Sequence, residues 1–138
     1  MREVGVAALV CLLAGCPSVD LGNSPAPPSE CAPDRQYFED VIWPEMLAPS
    51  DPSRSCIAEG GCHDIGNNPR SGLRLEADIT VAGALDDNYR AATSFLTCGF
   101  PMGSPLLTKP SSAPPDHGGD IIFAADDPVV SAFESWFP

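Results

Sequence analysis

Proline and glycine set the strongest limit on how this chain can fold. The sequence holds 16 prolines and 12 glycines among its 138 residues. Many of them lie in the segments DIGNNPRSG, CGFPMGSP and KPSSAPPDHGGD, whose composition is typical of turns and loops and too irregular for strands. We therefore expect a few helices joined by long loops, with no substantial sheet.

The segment PDRQYFEDVIWPEML has the apolar spacing of a helix. Asp34 is placed to cap its first turn. Pro44 is expected to kink or end the helix, because proline lacks an N–H and its ring clashes with the preceding turn. The residues expected on its apolar face are Tyr37, Phe38, Val41, Ile42 and Leu47.

Two further helices are predicted in the second half of the chain. DDNYRAATSFL begins at Asp86 or Asp87 as its cap, and DDPVVSAFESWF begins with Asp127 as cap and Pro128 as first helical residue. GLRLE and DIIFA are predicted to be short extended pieces. The apolar faces comprise Tyr89, Ala92, Phe95 and Leu96 in one helix, and Val129, Val130, Phe133, Trp136 and Phe137 in the other. Such a domain needs a staple or a cofactor to complete its core.

The N-terminus has the pattern of an export signal. Residues 1–15 contain an early arginine, an apolar run too short to span a membrane, and then small residues. The ending Leu-Ala-Gly-Cys resembles the bacterial lipobox, in which Cys16 becomes the lipid-modified N-terminus. Because Pro17 replaces the aspartate typical of inner-membrane retention, the outer membrane is favoured. Residues 16–30 are predicted to be a proline-rich tether, and residues 31–138 one folded domain.

Export decides how the cysteines are used, because exported thiols are normally oxidised or consumed in covalent bonds. The folded domain has Cys31, Cys56, Cys62 and Cys98. Two disulfides would use all four, and so would one haem with one disulfide. The stretch SCIAEGGCHD, with Cys56, Cys62 and His63, fits a stretched haem-attachment site, a metal site or halves of two disulfides.

The charge of the chain limits its partners. The formal net charge is −12, with 7 basic residues against 19 acidic ones. An acidic chain of this kind is not expected to bind nucleic acid or anionic lipid surfaces. The acidity indicates a solvated exterior, or a surface that attracts a basic partner.

The order of several short segments is similar to one known family. FEDVIWP, the Cys-to-Cys-His loop, GLRL, an Asn-Tyr helix, SPLLTKP, a glycine-rich loop and a final helix ending in Trp follow one another over residues 36–137. This order resembles the planctomycete-type cytochrome c-like domain, which occurs in bacterial lipoproteins. The resemblance implies a mainly α, small cytochrome c-like helical domain with long loops that carries one haem c for electron transfer.

The resemblance also assigns the haem-binding residues. Cys56 and Cys62 would form the two covalent thioether bonds, and His63 would be the proximal iron ligand. The family motif is C-x-x-C-H, so this sequence departs from it: Glu59 stands where the first cysteine is expected. The segment AEGG would have to loop out, which the flexibility of glycine permits.

The distal ligand and the disulfide follow from the same resemblance. In family order the distal ligand comes after the SPLL segment, where His117 lies, whereas Met102 precedes that segment and is the alternative. With Cys56 and Cys62 on haem, Cys31 and Cys98 are left to pair as a disulfide.

Two other readings of the cysteines and histidines stay open. A zinc site is poorly matched, because zinc motifs place four ligands in spaced pairs and the mature chain has only two histidines. A haem-free domain would hold all four cysteines in disulfides. No hydrolase or phosphate-binding motif occurs. The sequence thus predicts either an anchored electron-transfer haem protein with a redox partner protein, or a haem-free, disulfide-stapled interaction module at the cell surface.

Overall fold

The structure, a computed structural model, describes residues 32–58, 61–67, 71–112, 117–118 and 121–137. Within these ranges the chain is helical and forms no strand, which confirms the mainly α class. The segments GLRLE and DIIFA form no strand either where they are described; a single bridge pairs Asp64 with Leu75. No helix in these ranges is long and apolar enough to cross a membrane. The predicted signal and tether lie outside them.

The first helix changes its geometry along its length. It is an α-helix over Arg35–Tyr37 (α1) and continues as a π-helix over Phe38–Leu47. The Asp34 cap is confirmed, since its carboxylate accepts the Tyr37 N–H at 2.5 Å. Pro44 lies inside the helix and does not end it. The wider π ladder joins residues five apart, as in the Ala48 N–H on the Trp43 carbonyl at 2.8 Å.

Helix α2 spans Ala84–Thr93 and begins earlier than its sequence predicts. Its N-cap is Gly83, at φ 86°, a left-handed conformation that glycine adopts without strain. The expected cap at Asp86 or Asp87 is therefore wrong. Both carboxylates lie in the first turn instead, where they offset the positive end of the helix dipole.

The remaining helices are short. A 3₁₀ turn at Pro101–Gly103 leads into α3, Pro105–Thr108, and α4 spans Pro128–Ser135. The expected start of α4 is confirmed: the Asp127 carboxylate accepts the N–H of Val129 at 3.0 Å, and Pro128 is the first helical residue.

An aromatic cluster joins the three longer helices. The ring of Phe38 lies 5.4 Å from that of Tyr89 on α2 and 5.7 Å from that of Trp136, at the end of α4. The Trp136 indole N–H donates to the Asp34 carbonyl at 2.8 Å, and the Tyr37 hydroxyl donates to the Ala132 carbonyl at 3.1 Å. These contacts place the two chain ends of the described domain side by side.

A buried asparagine fixes the segment between the first helix and α2. The Asn88 side chain accepts the N–H of Glu76 at 2.7 Å and donates to the carbonyl of the same residue at 2.9 Å. It is 1% exposed. The two bonds hold residues 71–76 against α2, so that Leu73 and Leu75 point into the core.

Candidate functional site

The loop from Cys56 to His63 is closed by backbone hydrogen bonds. The Cys56 N–H donates to Leu47 at the end of the first helix, 3.0 Å, and the His63 N–H donates to the Cys56 carbonyl at 3.1 Å. Between them, the Gly61 N–H donates to the Ala58 carbonyl in a tight turn. A Cβ on Gly61 would lie 2.6 Å from that carbonyl oxygen, so only glycine fits.

The imidazole of His63 is held in one orientation. The Leu73 carbonyl lies 3.1 Å from its Nδ1 and the Ser71 hydroxyl 2.7 Å from the same atom. A carbonyl only accepts, so Nδ1 carries the proton and Nε2 keeps its lone pair. The backbone is fixed as well, because Leu75 donates its N–H to the His63 carbonyl at 2.8 Å. This is the arrangement that usually orients a metal-ligating histidine.

His117 lies beside His63, although 54 positions separate them in the sequence (117 − 63). Their ring centres are 6.1 Å apart and their planes are inclined by only 9°. The Nδ1 atom of His117 is buried and has no hydrogen-bond partner among the described residues. Burial of such a group without a partner costs free energy.

Both histidines line one cavity of about 210 Å³. Its wall is mainly apolar, and the polar groups are confined to the two imidazoles, Ser71 and the only lysine of the sequence, Lys109. The Cys56 side chain also lines it. The apolar lining comprises Met46, Leu47, Leu73, Phe95, Pro105, Leu106 and Pro110. An apolar cavity with a few convergent polar groups is typical of a cofactor or ligand site.

Burial shifts the acid–base properties of two groups at this cavity. Burial lowers the pKa of His63, and the nearby His117 lowers it further, while the Leu73 carbonyl raises it. The ring is therefore neutral at neutral pH, the form that binds metals. Burial also raises the pKa of the Cys56 thiol to about 11, with a smaller contribution from Cys62. Cys56 thus stays a protonated thiol at neutral pH.

The structure places Cys62 and Met102 away from this cavity. Cys62 is an exposed free thiol, and Cys56 is a buried one. Met102 is half-buried in the 3₁₀ turn, and neither it nor Cys62 is among the described residues that line the cavity. Cys98 is disulfide-bonded. Its predicted partner Cys31 lies outside the described residues, as does the predicted lipidation site in the N-terminal segment, so both assignments stay predictions.

The distance between the two imidazoles can be compared with that in metal sites. With metal–nitrogen bonds of about 2.0–2.1 Å and roughly 1.1 Å from nitrogen to ring centre, two trans imidazoles have centres about 6.3 Å apart, against about 5.2 Å in a tetrahedral site. The observed 6.1 Å lies nearer the first value, with the two rings stacked. Among the described residues, no three His, Cys, Asp or Glu side chains form a metal-holding group.

Sequence reasoning identified the two histidines but missed what positions them. The Leu73 carbonyl and the Ser71 hydroxyl leave no pattern in a sequence, because the first is a backbone group and the second is one of many serines in loops. No sequence motif marks Lys109 as a lining residue. The apolar wall from Phe95 and Pro105 depends on tertiary packing.

No known family, curated protein or solved structure matches this chain.

Proposed function

We propose that this protein is a membrane-anchored, exported c-type haem protein that transfers electrons, with His63 and His117 as the two axial ligands of its iron. The observation that carries the proposal is the pair of imidazoles on one apolar cavity, 6.1 Å apart and nearly parallel. These are the only two histidines of the sequence.

The chemistry of the donors supports haem over zinc. A structural zinc ion needs four protein ligands, whereas a haem iron takes four nitrogens from its porphyrin and needs two axial ligands from the protein. His63 offers Nε2 as the ligand atom because its Nδ1 is engaged with Leu73 and Ser71. His117 has a buried ring nitrogen in need of a partner.

Haem supplies a one-electron centre, and the chain determines its environment. Most of the wall is apolar, and the neutral His63 is oriented by its hydrogen bonds. Two imidazole ligands give a lower reduction potential than a His–Met pair. The cavity of about 210 Å³ is below the roughly 300–1,000 Å³ of typical ligand pockets. A haem held here would keep an edge in solvent, which suits electron exchange with a partner protein.

The location and the partner belong to the same proposal. Lipidation of Cys16 would anchor the domain to the membrane through the tether of residues 16–30, at the outer membrane in preference to the inner one. The net charge of −12 would favour a redox partner with a basic docking face, because complementary charge speeds encounter.

The test is to express the full chain in a bacterial host with and without c-type haem-attachment machinery. The purified protein should be red only from the competent host and should take up and release one electron reversibly in a potentiometric titration. Protein that is folded and colourless from both hosts would contradict the proposal.

The packing of the core favours one alternative function. The buried apolar residues of the described ranges form a single continuous cluster without any added group, and Cys98 already takes part in a disulfide. A haem-free, disulfide-stapled interaction module would have these properties. The colourless outcome above, together with a cooperative thermal transition, would support it.

A further inference from the structure

The two cysteines of the predicted haem motif lie in different environments. The Cys56 side chain is 9% exposed and lines the same cavity as His63 and His117. Cys62 is exposed and is not among the described residues that line that cavity. Cys62 directly precedes His63 and matches the second cysteine of the C-x-x-C-H motif. It is nevertheless the cysteine that lies outside the cavity.

The backbone explains this difference. Cys56 is fixed on both sides, by its own N–H on the Leu47 carbonyl and by the His63 N–H on its carbonyl. These bonds bring Cys56 next to His63 despite the additional residues between them. Cys62 follows Gly61, whose N–H donates to the Ala58 carbonyl, and the Cys62 side chain is exposed.

Resting on the function proposed above, we infer that the haem is attached through a single thioether, made by Cys56, and that Cys62 stays a free thiol. The unpartnered, buried Nδ1 of His117 on the same cavity is the independent sign of a ligand there. This attachment differs from the two-thioether bond of the C-x-x-C-H motif, from which the sequence departs at Glu59.

The attachment step is an addition of the thiol across one vinyl group of the haem. The S–H bond of Cys56 and the π bond of the vinyl group break. A bond forms from Sγ to one vinyl carbon, and the hydrogen ends on the other carbon. No electrons are gained or lost overall, so the step needs neither an oxidant nor a reductant.

The experiment is a peptide map of the full chain from the attachment-competent host, denatured and alkylated with iodoacetamide. We expect the Cys56 peptide to carry the haem mass and the Cys62 peptide to carry the alkyl group. The matched variants are Cys62→Ala, which should keep haem bound after denaturation, and Cys56→Ala, which should lose the covalent link.

Haem on the Cys62 peptide, or on both peptides, would overturn the inference. So would haem that separates from the wild type on denaturation; reversible electron uptake by such a haem would leave electron transfer standing but not c-type attachment. A colourless wild type would contradict both. If Cys56→Ala fails to fold, as judged by circular dichroism, the wild-type map decides alone.

Discussion

His63 makes four hydrogen-bond contacts through three of its groups, and this makes it the best-positioned residue of the site. Its N–H and its carbonyl each have one partner and its Nδ1 has two, whereas the buried Nδ1 of His117 has none among the described residues. The two residues could be singled out from the sequence because the chain has no other histidines. Their proximity could not be derived from the residues themselves, since it depends on how the loops pack.

The contrast predicts different effects of losing each histidine. His63→Ala should abolish haem incorporation, because the oriented ligand disappears. His117→Ala should leave haem attached but open one axial position to water or Met102, which changes the absorption spectrum. Spectra and haem content of the two purified variants measure this. An unchanged spectrum in His117→Ala would show that His117 is not a ligand.

At the scale of elements, hydrogen bonds at helix ends determine where each helix begins. Hydrogen bonds from the helices hold the connecting segments in place. The Asp127–Pro128 start of α4 follows from local rules and was predictable. The π geometry around Pro44 could not be predicted, because apolar spacing indicates a helical face but not its hydrogen-bond pattern. The Gly83 cap could not be predicted either, because a glycine cap has no side chain to mark it. The position of residues 71–76, which orient His63, depends on the buried side chain of Asn88.

Asn88→Ala should therefore destabilise both the fold and the site. It would leave the N–H and the carbonyl of Glu76 unsatisfied, at about 1–3 kcal/mol for each buried group. We expect the free energy of unfolding in urea to fall by about 2–4 kcal/mol. Asn67→Ala is the matched control: the side chain of this exposed residue donates to the Asp64 carboxylate, and its loss should change the stability little. Equal effects of the two substitutions would refute the role of Asn88.

A second element-scale prediction concerns the ion pair between α1 and α2. Arg35 donates to the Asp86 carboxylate at 2.8 Å. That hydrogen bond, followed by the positive charge of Arg35, lowers the pKa of Asp86. A lowered folded-state pKa stabilises the fold above the unfolded value of about 3.9, and the effect is lost as the pH falls through the folded value.

Asp86→Asn should consequently melt at a lower temperature than the wild type near neutral pH, and the difference should vanish in acid. Thermal unfolding followed by circular dichroism from about pH 7 to about pH 2 measures it. The effect is small because the pair is exposed. A melting difference that persists unchanged in acid would contradict the assignment.

For the whole molecule, composition and helix pattern were enough to predict a mainly α domain with long loops. They could not predict a cavity lined from both halves of the chain, because no local rule brings residue 117 to residue 63. The signal segment, the tether and the Cys31–Cys98 pairing come from the sequence alone, and stay predictions.

The membrane anchor predicts how the whole protein fractionates. Lipidated Cys16 should keep the protein in the membrane fraction, since the several acyl chains of a bacterial lipoprotein bind stably where one chain binds marginally. Cys16→Ser should appear in the soluble fraction after cell lysis. Ser18→Ala, two residues further on, is the control and should remain with membranes. Retention of the Cys16→Ser protein in the membrane would argue against lipidation.

The central claim, that His63 and His117 ligate one haem iron, is tested most directly by the electron paramagnetic resonance spectrum of the ferric protein. Two imidazole ligands with planes 9° apart should give a low-spin, rhombic spectrum. A high-spin spectrum, or that of a His–Met iron, would contradict the account.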